Sequence, residues 1–347
     1  MGSYFEVRVG ARTPSAIDLV TRALDVIEAL EAQLTVYHDD SEVARLNASA
    51  HLGPVAVEPG LFDLLTRAAA IHEATDGAYD VAAGALSLAW GFVRGPRRVP
   101  SADQLADARS RSGTSHLTFD PARHTVQSDR EGVAINLGSI GKGYAVDRAA
   151  DVLRDHWWPT CGLIHGGRSS LYALGGPPGS LDGRWPVALR NPVDPSHSLG
   201  IISLRDRGLG TSGNAFQSFE VDGRRYGHII DPRTGCPPES GPLSVTVLAP
   251  SAAQADALST AFTLLGVEPS MAYCAAHPEI AAIFALPGPS PRHVEVRAIG
   301  LELGEFEPSA ADGRPLRLAA RDWSFEVGAI EAPDQETGTK WGQAPSP

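Results

Sequence analysis

Cysteine is close to absent. Three occur in 347 residues, Cys161, Cys236 and Cys274, with no Cys-x-x-Cys pair. A disulfide framework or a thiolate zinc centre is not expected, and free thiols in a reducing compartment are. There is no long basic run, and the net charge is −12, which argues against nonspecific nucleic-acid binding. No apolar stretch approaches the ~20 residues that a membrane span requires. The opening residues "MGSYFEVRVG" lack the charged start, apolar stretch and small-residue cleavage site of a secretory signal. The expectation is a soluble, cytoplasmic protein, with export open only if the start site is misassigned. No internal repeat is visible, and strands and helices do not alternate strictly as in βαβ folds. The fold class expected is therefore α+β.

What is present is ordinary globular chemistry. Apolar residues make up 43% and charged residues 20% of the chain, enough for a substantial core. At roughly 150 residues per domain, the length fits two domains or one large one. An acidic protein that handles an anionic ligand needs a local cation, a metal or backbone N–H groups.

The chain reads as a strand over Tyr4–Val9 and a helix from about Ser15 to Leu34, with Ile17, Val20, Leu24, Ile27 and Leu34 at helical spacing. An Asp- and Ser-rich turn, "TVYHDDSEVARLN", leads into a short helix. A further helix spans about Pro59–Ala74, with Gly77 placed to close it. A short helix near Ala102–Ala108 and strands around Leu117 and Val126 follow. From Ala134 the pattern is strand, glycine turn, helix. Strands "GLIHGG", "SLYALGG", "PVALRNP" and "GIISL" come next, then "FEVDGRRYGHII", where Asp222-Gly223 is a hairpin turn. Strand "LSVTVLAP" precedes a helix over Ala252–Leu265. After about Pro287 the signal fades, and residues 331–347 read as disordered.

Four segments could carry chemistry. In Asn136–Asp147, "NLGSIGKGYAVD", glycines punctuate a strand-to-helix junction, where backbone N–H groups and Lys142 could approach an anion. It is no P-loop, because only two residues separate Gly138 from Gly141-Lys142 and Gly143 follows the lysine. A tight packing turn is the other reading. In "SAAQADALSTAFTLL", Ser251 with Gln254 forms a capping box, and Asp256 and Thr260 stack on one side of the helix. That pair could present two oxygens to Mg2+, or could be a solvated face. In "GHIIDPRTGCP", His228 sits at a strand end as a candidate general base, or as a histidine satisfied by backbone carbonyls. Arg233 could pair with a phosphate or a carboxylate. In "TDGAYDVAAG", Tyr79 could stack on an aromatic ring and Asp80 could accept hydrogen bonds from one; alone it is an ordinary turn.

Taken together and in order, these segments resemble the ApbE family, the FAD:protein FMN transferases. "MGSYFEV" resembles the family's opening Met-Gly-Thr strand, "LTVYHDDSEVARLN" its Tyr/Asp-Ser-Glu segment, and "TDGAYDVAAGAL" its Gly-Ala-Phe-Asp turn. "INLGSIGKGYAVDRAADVL" resembles its Asp-Leu-Gly…Lys-Gly-Tyr-Ala signature, and "HIIDPRTGCP" and "ADALSTA" close the set. The match runs from Met1 to about Leu286.

The resemblance implies an ApbE-like (T-fold-like) α+β architecture over 1–286, with a flavin cleft between subdomains. Residues 287–330 then form an extension. It implies binding of FAD as substrate and of Mg2+. It further implies transfer of FMN to a Ser or Thr hydroxyl of a target flavoprotein, with release of AMP. By that resemblance Ser139, Asp256 and Thr260 hold the metal and His228 is the base. Met1, Tyr37, Ala78, Tyr79, Asp80, Asn136 and Lys142 contact the flavin nucleotide, while Arg233 is assigned separately as a phosphate or structural partner. The alternatives are an FAD pyrophosphatase and a non-catalytic flavin carrier. The chain departs from the family pattern at Asn136, where Asp is usual. It also departs at Gly141 (usually Ala), at Gly227 (often a second histidine) and in "GLIHGG" (usually Asn-Gly-Gly).

Overall fold

The computed structural model describes residues 4–10, 12–158, 161–167, 169–213, 218–291 and 293–309, and the backbone of Trp323–Val327. The helices fall where apolar spacing and caps put them: α1 (Ala16–Leu34), α2 (Glu42–Ser49), α3 (Pro59–Ala74), α4 (Gly84–Ala89), α5 (Ala102–Ser110), α6 (Gly141–Arg154), α7 (Ala252–Leu265) and α8 (Val267–Ala276). Ser41, Ser101 and Ser251 each accept a backbone N–H at their helix start. The reciprocal capping box forms at Ser101–Gln104; at Ser251 only the serine half is seen. Helix α3 ends in a Schellman motif. Gly77 N–H reaches His72 O and Asp76 N–H reaches Glu73 O, but the first left-handed residue is Asp76, with Gly77 one step beyond it.

The strands are β1 (Phe5–Val9), β2 (Val55–Ala56), β3 (Leu117–Asp120), β4 (Thr125–Ser128), β5 (Gly162–Gly166), β6 (Ser170–Leu174), β7 (Trp185–Arg190) and β8 (Ser198–Leu204). They continue as β9 (Arg207–Ser212), β10 (Ser218–Val221), β11 (Arg224–Gly227), β12 (Ser244–Ala249), β13 (Ala281–Pro287), β14 (Val294–Ile299), β15 (Phe306–Pro308) and β16 (Trp323–Val327). One eight-stranded sheet runs β1-β5-β6-β9-β12-β13-β14-β16, and every pairing in it is antiparallel. Small sheets β15-β8-β7 and β2-β4-β3 and the hairpin β10-β11 complete the set. The architecture is α+β, as expected.

The large sheet is covered on both faces. Val245, Val247, Ala282 and Phe284 pack with the apolar sides of α3 and α7, and Ile164 and Tyr172 pack under α1 and α6. The opposite face, with Leu171, Leu209, Leu248 and Ile283, packs on Leu189, Leu199, Ile202 and Leu204 of β7 and β8. Burial on both faces explains why "SVTVLA" and "AAIFA" read as continuous apolar runs instead of alternating.

Two expectations change. The strand expected from Ala134 is a single bridge between Ala83 and Ala134, followed by a non-strand turn that Asn136 N–H ties to Val81 O. Beyond Pro287, where the sequence signal fades, β14 pairs with β13 over six residue pairs and β16 with β14. The tail 331–347 lies outside the described residues.

Helix α7 is seated on glycines. A Cβ at Gly210 would lie 2.4 Å from Ala255 C and 2.5 Å from Asp256 N, and one at Gly143 would lie 2.2 Å from Ala252 O. These are backbone contacts, so only a shift of the helix relieves them. Gly210→Ala is expected to lower stability by about 1–3 kcal/mol, the usual cost of overpacking. It should also cost more activity than FAD affinity, because the displaced backbone carries Asp256. Thermal denaturation beside a turnover assay checks this, and unchanged turnover would dissociate the glycine seat from the site.

Candidate active site

Helix α6 holds α7 at three points. Asp147 receives Ala252 N–H at 2.7 Å and Ala253 N–H at 2.9 Å, which closes the first turn of α7 with a carboxylate from another helix. Burial pushes the Asp147 carboxyl up to about 6, although the two amides pull the other way. One turn on, Gly143 N–H reaches Asp256 Oδ2 at 3.2 Å, and Lys142 Nζ lies 3.4 Å from the same oxygen. Lys142 Nζ also donates to Gly138 O at 3.1 Å. The Asp256 side chain is only 3% exposed. It is therefore no solvated helix face, and burial pushes its carboxyl up while Lys142 pulls it back.

Hydroxyls surround this carboxylate. Thr260 Oγ1 lies 3.1 Å from Ser212 Oγ, which also meets Ser259 Oγ at 2.8 Å. Ser170 Oγ and Tyr79 Oη are buried and make no hydrogen bond of good geometry. They are still close enough that Ser170 draws the Asp256 carboxyl down and Ser139 draws the Tyr79 phenol down. Burial dominates for Tyr79 and pushes its phenol far above the ordinary value, so it is a neutral donor. Among the described residues no three His, Cys, Asp or Glu side chains cluster to hold a metal. One carboxylate and a group of hydroxyls, two of them without a hydrogen bond of good geometry, are instead a set of oxygen donors. That set suits a hard cation that completes its shell with substrate oxygens. The residues present therefore fit Mg2+.

These groups open onto a cavity of about 640 Å3 whose lining includes Tyr37, Ala78, Tyr79, Asp80, Asn136, Ser139, Lys142, His228, Asp256 and Thr260. Residues as far apart in the chain as Tyr37 and Leu264 thus share one cavity. Met1 lies outside the described residues. Arg233 does not line the cavity. Its guanidinium forks onto Asp231 at 2.9 and 2.8 Å, so of its two partners the carboxylate is the one realised. Asn136 Oδ1 accepts Gly138 N–H at 2.9 Å; that turn needs one acceptor, which an amide supplies as well as a carboxylate does.

Asp80 is tied into the protein frame. Its carboxylate accepts Ala82 N–H, Thr114 N–H and Thr114 Oγ1–H at 2.8, 3.0 and 2.7 Å, and His72 Nδ1 stands 3.1 Å away. Burial works to raise this carboxyl, but His72 and Thr114 outweigh it and hold it below the usual carboxylate range. In return Asp80 raises His72, against burial. His72, Asp147, Ser170 and Ser212 were not singled out from the sequence. No local motif marks them; each matters through a contact at least eight positions away.

The histidine turn is closed by its own backbone. Asp231 N–H reaches Cys236 O at 3.0 Å and Gly235 N–H reaches Asp231 O at 2.7 Å. Gly235 takes a left-handed φ of 79°, which glycine adopts without the strain a Cβ would bring.

Fold and site together describe an α+β protein with one large antiparallel sheet and a cavity lined by Lys142, Asp256 and several hydroxyls. The family model described as "ApbE family" matches residues 1–284. The FAD:protein FMN transferase of Salmonella typhimurium is 34% identical over 277 residues, 77% of each chain. That of Treponema pallidum is 34% identical over 307 residues, 83% of each. Among solved structures, the flavin transferase ApbE from Vibrio cholerae superposes with a TM-score of 0.73 at 31% identity, over 83% of this chain and 92% of that one. The ApbE protein from Thermotoga maritima gives 0.75 at 29% identity, over 82% and 91%. This chain belongs to the ApbE family.

Proposed function

We infer that this protein transfers FMN from FAD to a Ser or Thr hydroxyl of an acceptor flavoprotein and releases AMP. The observation that carries the reading is the single cavity that gathers Lys142, Asp256, Thr260, Ser139, Tyr79 and His228. Asp256, Thr260 and Ser139 would hold Mg2+, whose chemistry there would be to offset negative charge on the pyrophosphate. Lys142 adds a fixed positive charge beside the same phosphates. Tyr37, Ala78, Tyr79, Asp80 and Asn136 hold the flavin half, with Asp80 acting through the turn it braces.

His228 takes the proton from the acceptor hydroxyl as its oxygen attacks the flavin-side phosphorus. A P–O bond forms to the acceptor, the bond to the bridging oxygen breaks, and AMP leaves with that oxygen. No helix among the described residues is long and apolar enough to cross a membrane. The small number of cysteines, with no Cys-x-x-Cys pair, supports placement in a reducing, cytoplasmic setting.

Incubation with FAD, Mg2+ and a Thr-bearing acceptor tests the reading. Flavin that stays with the denatured acceptor, matched by AMP, is the expected result. AMP without modified acceptor would make the protein an FAD pyrophosphatase, and intact bound FAD would make it a carrier.

A further inference from the structure

We propose that Trp90 is a positioning residue for His228, holding the histidine turn at both of its ends; this rests on the reading of His228 as the base. Trp90 is 2% exposed and sits at the C-terminus of α4, where its N–H reaches Leu86 O at 3.0 Å. Its indole Nε1–H donates to Gly235 O at 2.9 Å. Its ring packs on Tyr226 at 5.3 Å between centroids. Tyr226 stands two residues before His228, and Gly235 seven after it. One side chain therefore grips the chain on either side of the imidazole, with the Asp231–Cys236 bridge closing the loop between.

The grip is itself well supported. Tyr226 faces Phe219 across the hairpin, with rings stacked at 5.5 Å. Phe219 meets Trp90 at 6.4 Å and Phe92 at 5.6 Å. Phe92 in turn points its ring at His228 edge-on, at 6.5 Å. The segment that carries these rings is folded back at Gly91, where any Cβ would lie 2.0 Å from Pro96 O, and Arg98 N–H returns to Trp90 O at 3.1 Å. On the far side Arg109 Nη2 holds Arg233 O at 3.0 Å. His228 is thus borne on a short segment whose exit is fixed by an indole hydrogen bond and whose entry is fixed by ring stacking. Catalysis by a positioned base is sensitive to such placement, since a misplacement of about 1 Å can cost on the order of 10²-fold in rate. A tryptophan that serves only the core would instead affect stability and ligand affinity together.

The test is Trp90→Phe, which keeps a ring and removes the N–H. FMN transfer at saturating FAD and acceptor should fall about tenfold or more, and the ascending limb of log kcat against pH should move. FAD affinity, read by flavin fluorescence, should stay within about twofold, because the flavin contacts stand on other elements. Tyr226→Leu keeps the indole hydrogen bond and removes the stack, and should move kcat in the same direction; it serves if Trp90→Phe does not fold. The double variant Trp90→Phe/His228→Ala should be no slower than His228→Ala alone. Multiplying losses, or wild-type kcat in Trp90→Phe, would overturn the assignment of Trp90 while leaving His228 as base. A His228→Ala enzyme that transfers at the wild-type rate would remove both.

Discussion

Asp256→Ala is expected to abolish FMN transfer and to leave the protein folded. The loss expected in kcat is on the order of 10³-fold or more, the upper range for removing one electrostatic stabiliser from a dry site. Two effects combine. The variant loses the one carboxylate in an otherwise hydroxyl-lined oxygen set, and Lys142 loses its partner at 3.4 Å. The fold tolerates the change because Asp256 is a burden when no cation is bound. Its carboxyl is raised by burial, so folding favours the protonated form. Stability linked to this group is fully present below the ordinary carboxylate range and is lost as pH rises through the raised value. As pH rises through that raised value the ionised side chain costs stability, and alanine relieves that cost.

The expected signature is therefore double. Without metal, the melting temperature of Asp256→Ala relative to wild type is expected to rise with pH. Adding Mg2+ in the presence of FAD is expected to stabilise the wild type by mass action and to leave the variant unchanged. Normal AMP release by Asp256→Ala would refute the metal assignment, and a melting temperature well below wild type would mean that the carboxylate is structural.

Much of the site was legible because its chemistry sits in short segments with strong local physics. Ser251 caps α7 and so fixes the phase that stacks Asp256 over Thr260. Asp222-Gly223, with φ of 52° and 72°, turns the hairpin that leads to His228. What was not legible depends on contacts between distant segments. Nothing in "YAVDRAAD" announces that Asp147 caps another helix 105 residues on. Gly210 reads as a weak strand residue until α7 is laid across it. Arg233 reads as a phosphate ligand as readily as a structural one, because the choice is made by Asp231 two residues away closing a fork. The strand Ala134–Asn136 failed for the opposite reason. Its apolar alternation is real, and Ile135 is buried, but its amides go to Val81 O and to Asn47 Oδ1 instead of to a neighbouring strand.

His228→Ala is expected to bind FAD normally and to transfer FMN slowly, with kcat lower by about 10²–10⁴-fold, the range for a positioned general base. Binding is expected to survive because the proposed reading rests the flavin half on Tyr37, the turn after α3 and Asn136. None of these shares an element with His228, and the turn after α3 is braced separately by Asp80 and His72. Turnover suffers because, of the cavity's titratable side chains, Asp80 is closed off by four protein donors and Asp256 faces Lys142. The phenol of Tyr79 is held neutral by burial. A neutral phenol and an engaged carboxylate are poor bases, which leaves the cavity's imidazoles, His165 and His228. His228 is the proposed base, and the variant tests whether it is the one that removes the acceptor proton. If so, the ascending limb of the transfer rate against pH disappears in His228→Ala, and single-turnover AMP release slows in parallel with acceptor labelling. Slow labelling with fast AMP release would show that water replaces the acceptor without needing the imidazole. His228 would then serve acceptor selection and not proton removal.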